Sequence, residues 1–149
     1  MSAKPKLVGI NHVALEVGDI DAALAFYAAI FDIKLRGRAP GHAFIDLGDQ
    51  FLALAEVAGK TADEVPERHF GIVVDDREAV RPLIEQAGGR ILPGGFLDFL
   101  DPWGNRVELV DYKSIQFTKA HAVFAAMGVE MEKTDAAKEQ LRAKGMLED

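Results

Sequence analysis

Two stretches of this chain, INHVALEVGDIDAALAFY at residues 10–27 and ERHFGIVVDDREAVRPLI at residues 67–84, repeat one pattern at an offset of 57. The offset pairs His12 with His69, Val17 with Val74, Asp19 with Asp76, Ala22 with Ala79, Phe26 with Leu83 and Leu35 with Leu92. The pairs agree in chemistry more than in identity. A repeat constrains a fold more tightly than composition does, because a unit that cannot bury its own apolar face must pair with its copy.

Each half predicts the same elements in the same order. HVALEV and HFGIVV read as strands, Asp19 and Asp76 are suited to cap a helix, and a helix-period pattern follows. Its apolar positions are Ile20, Leu24, Tyr27 and Phe31 in one half, and Ala79, Val80, Leu83, Ile84 and Ala87 in the other. Pro82 lacks an N–H and is expected to start or kink the second helix. Short strands broken by turns come next: IKLRGR, AFIDLGD and FLALAEV, then GRIL, FLDFLD and NRVELVDY. The linking turns include GDQ at 48–50 and DPWGN at 101–105, both rich in turn formers.

The fold class is therefore α+β, with two βαβββ modules whose curved mixed sheets pair around a cavity, in one chain or across two chains. Residues 1–149 are expected to form one domain, with module one at 7–58, module two at 67–112 and a helical extension at 113–149. In that extension SIQFTKAHAVFAAMG and TDAAKEQLRAKGM read as two short helices, suited to a cover or a dimer contact. Phe117, Ala120, Phe124 and Met127 form a stripe at helical spacing.

Strand alternation decides what faces the cavity. His12, Ala14 and Glu16 share one face, leaving Val13, Leu15 and Val17 to pack under the helix. The same parity aims His69 and Gly71 inward, and Glu108 joins them, with Arg106 on its face. Matching FLALA to RVELV sets Ala53 opposite Glu108 in the repeat, so the His and Glu pair is complete in the second copy and half complete in the first. Two imidazoles and a carboxylate suit Fe(II), Mn(II), Zn(II), Ni(II) or Co(II), with positions left open for water and substrate.

Composition narrows the rest. The chain has no cysteine, which excludes thiolate ligands and thiol nucleophiles. Its net charge is −7, and the tail from 113 holds six basic and six acidic residues, so the whole excess lies in residues 1–112. An acidic body argues against nucleic acid as a partner. No segment approaches the ~20 apolar residues of a membrane span, and the expected location is the cytoplasm.

INHVALEVGDIDAALAFYAAIFDIKL and FLDFLDPWGNRVELVDY resemble the opening and closing segments of the vicinal oxygen chelate superfamily. Glyoxalase I, methylmalonyl-CoA epimerase, fosfomycin and bleomycin resistance proteins and extradiol dioxygenases are its members, and the resemblance covers residues 7–112. It implies that His12, His69 and Glu108 are metal ligands, and that Ala53 stands where glyoxalase I and the epimerases place a glutamate or glutamine. Ala53 cannot coordinate or act as a base. What it implies for function is a metal-dependent lyase, isomerase or dioxygenase that chelates adjacent oxygens of a small substrate, working as a homodimer. Glu16 is the carboxylate nominated as base beside Glu108, and Arg106 and Asp98 are nominated for substrate binding, although an inward Arg106 is expected to pair with a nearby acid such as Glu108 or Asp98. The alternative is a metal-free binding or sequestering protein of the bleomycin resistance type.

Overall fold

The computed structural model describes residues 10, 12–48, 50–63 and 65–147. The N-terminal lysines and the first residues assigned to module one, 7–9, lie outside that range. Module one consists of β1 (His12–Val17), α1 (Ile20–Ile30), β2 (Leu35–Ala39), β3 (His42–Asp46) and β4 (Phe51–Glu56). Module two repeats it with β5 (Phe70–Val74), α2 (Arg77–Gln86), β6 (Arg90–Ile91), β7 (Leu97–Leu100) and β8 (Arg106–Asp111). The sheets run β1-β4-β3-β2 and β5-β8-β7-β6, each with one parallel pair, β1 on β4 and β5 on β8.

Both helices begin as the sequence predicts, and each also receives a cap from its own sheet. Asp19 accepts the Ala22 N–H at 2.7 Å, and Asp76 accepts those of Glu78 and Ala79 at 3.1 Å. At the end of β4, Glu56 accepts the Ile20 N–H at 3.1 Å, and at the end of β8 Asp111 accepts that of Arg77 at 2.8 Å. Two otherwise unsatisfied donors in the first turn of α1 and three in that of α2 are thus met by carboxylates, which the helix dipole also favours. Glu56 is consequently a helix cap, directed away from the β4 face that carries Ala53. Pro82 lies inside α2 without ending it, and the carbonyl of Glu78 gives up its helical partner.

Ile20, Ala23, Phe26, Tyr27 and Ile30 form the buried face of α1. They join Leu15, Val17, Ala43, Ile45, Leu52 and Leu54 from sheet one, and Val80, Ile84, Leu97, Phe99, Val107 and Leu109 from module two, in a single core. The two helices therefore lie on the same side of the chain, with Phe26 meeting Phe99 at a ring separation of 6.4 Å. Gly89 permits this approach: a methyl there would come within 2.6 Å of Ile84 and 3.3 Å of Phe26. The opposite face of each sheet packs under neither helix, and among the described residues the two sheets do not close around a cavity within one chain.

The tail forms two short helices where two were expected, His121–Met127 (α3) and Asp135–Arg142 (α4), and a 3-10 turn occupies Tyr112–Ser114. Phe117 and Ala120 precede α3, so the stripe through Phe124 and Met127 is not one helix face. Phe117 and Phe124 instead meet the Tyr112 ring edge-on, at 6.5 and 4.9 Å, and the Lys133 ammonium covers that ring at 3.5 Å. Lys133 donates at 2.8 Å to the carbonyls of Tyr112 and Ile115, and desolvation pulls its pKa below the ordinary lysine value. Met127 and Val123 of α3 pack on Gly48, in the turn that leads into β4. Gly48 adopts φ +92, a left-handed conformation that a side chain would strain.

A buried network joins the modules through the DPWGN turn. Tyr27 donates to Asp101 Oδ2 at 2.9 Å, and Asp101 also accepts the N–H groups of Trp103 and Asn105 and the Asn105 side chain. The Asn105 amide reaches across to donate to the Glu16 carbonyl at 2.9 Å. Burial and the Asp101 carboxylate raise the Tyr27 pKa well above the usual range. A raised folded-state value gives stability that is complete below the unfolded tyrosine pKa of about 10 and declines above it. Urea denaturation of Tyr27→Phe is expected to show a loss of about 1–3 kcal/mol near neutrality. The stability difference from the parent should then shrink as pH rises past about 10; a difference that stays constant would refute the linkage.

Candidate metal centre

Alternation along β1 turns Leu15 and Val17 into the core and leaves His12, Ala14 and Glu16 exposed on the open face. The His12 ring stacks on Phe51, its partner in the parallel register, at 4.7 Å and an interplanar angle of 9°. Phe44 meets Phe51 edge-on at 5.8 Å, and the Arg36 guanidinium lies 4.9 Å above the same ring. Ala53 sits between Ala14 and Phe44 in the register. The module-one face thus presents one imidazole over a floor of small and aromatic side chains.

Module two presents the charged half. Val107 and Leu109 of β8 pack under the helix while Arg106 and Glu108 face outward from it. His69 precedes β5, and its Nε2 lies 3.4 Å from Glu108 Oε2. The other ring nitrogen, Nδ1, is 2.9 Å from the Glu67 carbonyl, which can only accept, so Nδ1 carries a proton. Nε2 is then left 3.4 Å from the Glu108 carboxylate, a pair able to share a cation, whether a proton or a metal ion. Gly71 is the register partner of Glu108 and leaves the space above it unfilled.

The remaining predicted residues are engaged with protein partners. Glu16 is 3.0 Å from the Lys60 ammonium. Arg106 donates from Nε and Nη2 to one oxygen of Asp98, at 2.8 and 2.6 Å, so the pairing expected of Arg106 with a nearby acid is made with Asp98. Among the described residues no group of three or more His, Asp or Glu side chains is gathered closely enough to hold a metal ion. His69 and Glu108 are brought together, and His12 lies on the other sheet. A pocket of about 280 Å³ occurs in the tail, lined by Tyr112, Lys133, Lys138 and Leu141 among others, and includes none of the three. Sequence reasoning did not find Asp101 as the module junction, although its place at the head of DPWGN was a signal that several turn N–H groups would need an acceptor.

No described helix is long and apolar enough to cross a membrane. The chain is 29% identical over 116 residues to the metallothiol transferase FosB of Bacillus licheniformis, covering 70% of this chain and 75% of the relative. It is 27% identical over 113 residues to the glutathione transferase FosA of Serratia marcescens, covering 69% and 80%. A crystal structure of the fosfomycin resistance protein FosX from Listeria monocytogenes, complexed with Mn(II) and dihydroxypropylphosphonic acid, shares the fold. Its TM-score is 0.60 at 19% identity, over 70% of this chain and 90% of that one. The model of the Glyoxalase/Bleomycin resistance protein/Dioxygenase superfamily matches residues 9–109, across both modules and all three candidate ligands, and the chain belongs to that superfamily.

Proposed function

We propose that this protein is a metal-dependent enzyme acting on a small oxygen-rich substrate, and that its site is completed between two copies of the chain. His69 and Glu108 of one copy would hold a divalent transition metal together with His12 contributed from a second. The observation that carries the reading is the His69 Nε2 lone pair held 3.4 Å from Glu108 by the Glu67 carbonyl behind the ring. Support for shared sites comes from α1 and α2, which pack side by side in one core and leave both ligand-bearing faces turned to solvent. A two-fold partner would lay module two on module one and bury both. The relatives named for metallothiol and glutathione transfer, and the Mn(II) in the FosX structure, agree in chemistry.

When bound, such an ion serves as a Lewis acid toward two adjacent substrate oxygens. The protein's part is positional. Glu108 offsets one of the two positive charges, and Glu67 fixes the His69 ring. Phe44 and Phe51 exclude water beside His12, and Gly71 and Ala53 leave room for the ligand. For a lyase or isomerase step Glu16, paired with the Lys60 ammonium at 3.0 Å, is the carboxylate on the His12 face that would accept a proton.

Metal analysis of untagged protein is expected to find about one equivalent of a transition metal per chain after reconstitution. Glu108→Ala and His69→Ala should each weaken uptake by roughly 100-fold or more. Uptake should also weaken as pH falls, since a proton competes for His69 Nε2. Protein that takes up no metal, yet is stabilised by a small organic ligand, would establish the metal-free binding alternative.

Site sharing has its own test. Unfolding and co-refolding His12→Ala with Glu108→Ala gives mixed dimers in which one site lacks both groups and the other is intact. Such a mixture should recover about a quarter of the parental metal content. Sites formed within one chain predict no recovery at all.

A further inference from the structure

Asp98 is the least explained polar group on the module-two face. In β7 its neighbours Leu97 and Phe99 point into the core, so its carboxylate lies on the face of Glu108, its direct partner in the β7–β8 register. The residue is 5% exposed. Oδ2 takes both Arg106 hydrogen bonds, whereas Oδ1 is buried with no hydrogen-bond partner among the described residues. A buried carboxylate oxygen without a donor is costly, and it sits beside the carboxylate of the candidate metal centre. Arg106 is consumed by the same pair: its remaining arm reaches the Pro66 carbonyl at 3.3 Å and Glu67 at 4.0 Å.

We propose that Asp98 is the specificity-determining residue of the site: its Oδ1 accepts a hydrogen bond from a hydroxyl of the bound substrate, and its hold on Arg106 denies that cation to anionic groups. The substrate class is then a neutral compound with vicinal oxygens, at least one of them a hydroxyl, and phosphonates and phosphates are refused. This deepens the metal-enzyme reading and rests on it for the position of the vicinal oxygens.

Two probes read the preference by titration calorimetry on the full-length, Mn(II)-loaded protein: hydroxyacetone as the neutral hydroxyketone and methylphosphonate as the anion. The parent should bind hydroxyacetone at least ~10-fold more tightly than methylphosphonate, because a second carboxylate beside Glu108 repels the anion. Asp98→Asn keeps the shape, removes the charge and releases Arg106. It should tighten methylphosphonate binding by ~10-fold or more and weaken hydroxyacetone binding. Adding Arg106→Gln should abolish the gain. A parent that binds methylphosphonate as tightly as hydroxyacetone overturns the proposal, as does an unchanged ratio in Asp98→Asn. Should Asp98→Asn not fold, as judged by its thermal melt, Asp98→Ser makes the same comparison, and the parental preference stands as a test by itself. Metal content, measured first, judges the metal reading separately. The methylphosphonate gain depends on Arg106 and is expected in metal-free protein too, where its absence refutes the release of Arg106.

Discussion

The buried carboxylate of Asp101 is the constraint on which the rest of the molecule hangs. It is 2% exposed, and a charge at that depth is tolerable only if its oxygens are met by donors. Four donors meet it: the Tyr27 hydroxyl from α1, two N–H groups of its own turn and the Asn105 amide. Because Tyr27 belongs to module one and the turn to module two, satisfying one carboxylate fixes how the modules sit. Asn105 then carries the link to the backbone of β1 at Glu16. The strand that bears His12 and the strand that bears Glu108 are in this way registered against each other through a group that touches neither ligand.

That junction has a geometric consequence for function. It draws α1 and α2 together over one core, and helices placed side by side put both open sheet faces on the outside. In the proposed site the two faces, each with part of the ligand set, would meet by association of two chains and not by folding of one. A chain arranged otherwise, with the sheets closed over each other, would need its helices on opposite sides and would have no use for a tyrosine of α1 bonded to the turn before β8.

Much of this was legible in the sequence because period and duplication are local signals. The 57-residue offset located both strands, both helices and both Asp caps, and parity along β1 and β8 told which side chains face outward. What escaped was set by contacts between residues far apart in the chain. Glu56 and Asp111 cap helices that begin 36 and 34 residues earlier, and no window of sequence contains both partners. The apolar stripe of the tail was misread for a related reason. Phe117 to Met127 has helical spacing, but Phe117 and Phe124 gain more by packing on the Tyr112 ring from two directions than one helix face could give them. The separation of His12 from His69 and Glu108 within a chain could not be read either, since strand parity fixes the face of a side chain and says nothing about which sheet that face will meet.

The contrast between Asp101 and Asp98 separates what this chain spends on folding from what it holds for chemistry. They stand three residues apart, at the end of β7 and within it, and both are buried. Asp101 has every oxygen answered by the protein, which is the condition of a structural carboxylate. Asp98 has one oxygen answered twice by Arg106 and the other by no group among the described residues. A strand that needed only to pack would place an apolar residue there, as it does at Leu97 and Phe99, and would leave neither an orphaned acceptor nor a committed arginine beside Glu108. Retaining both costs stability that packing alone would have gained. The face on which that cost falls is the one that also presents His69 and Glu108, so in the proposed site the open acceptor of Asp98 and the ligand pair beside it serve one and the same substrate.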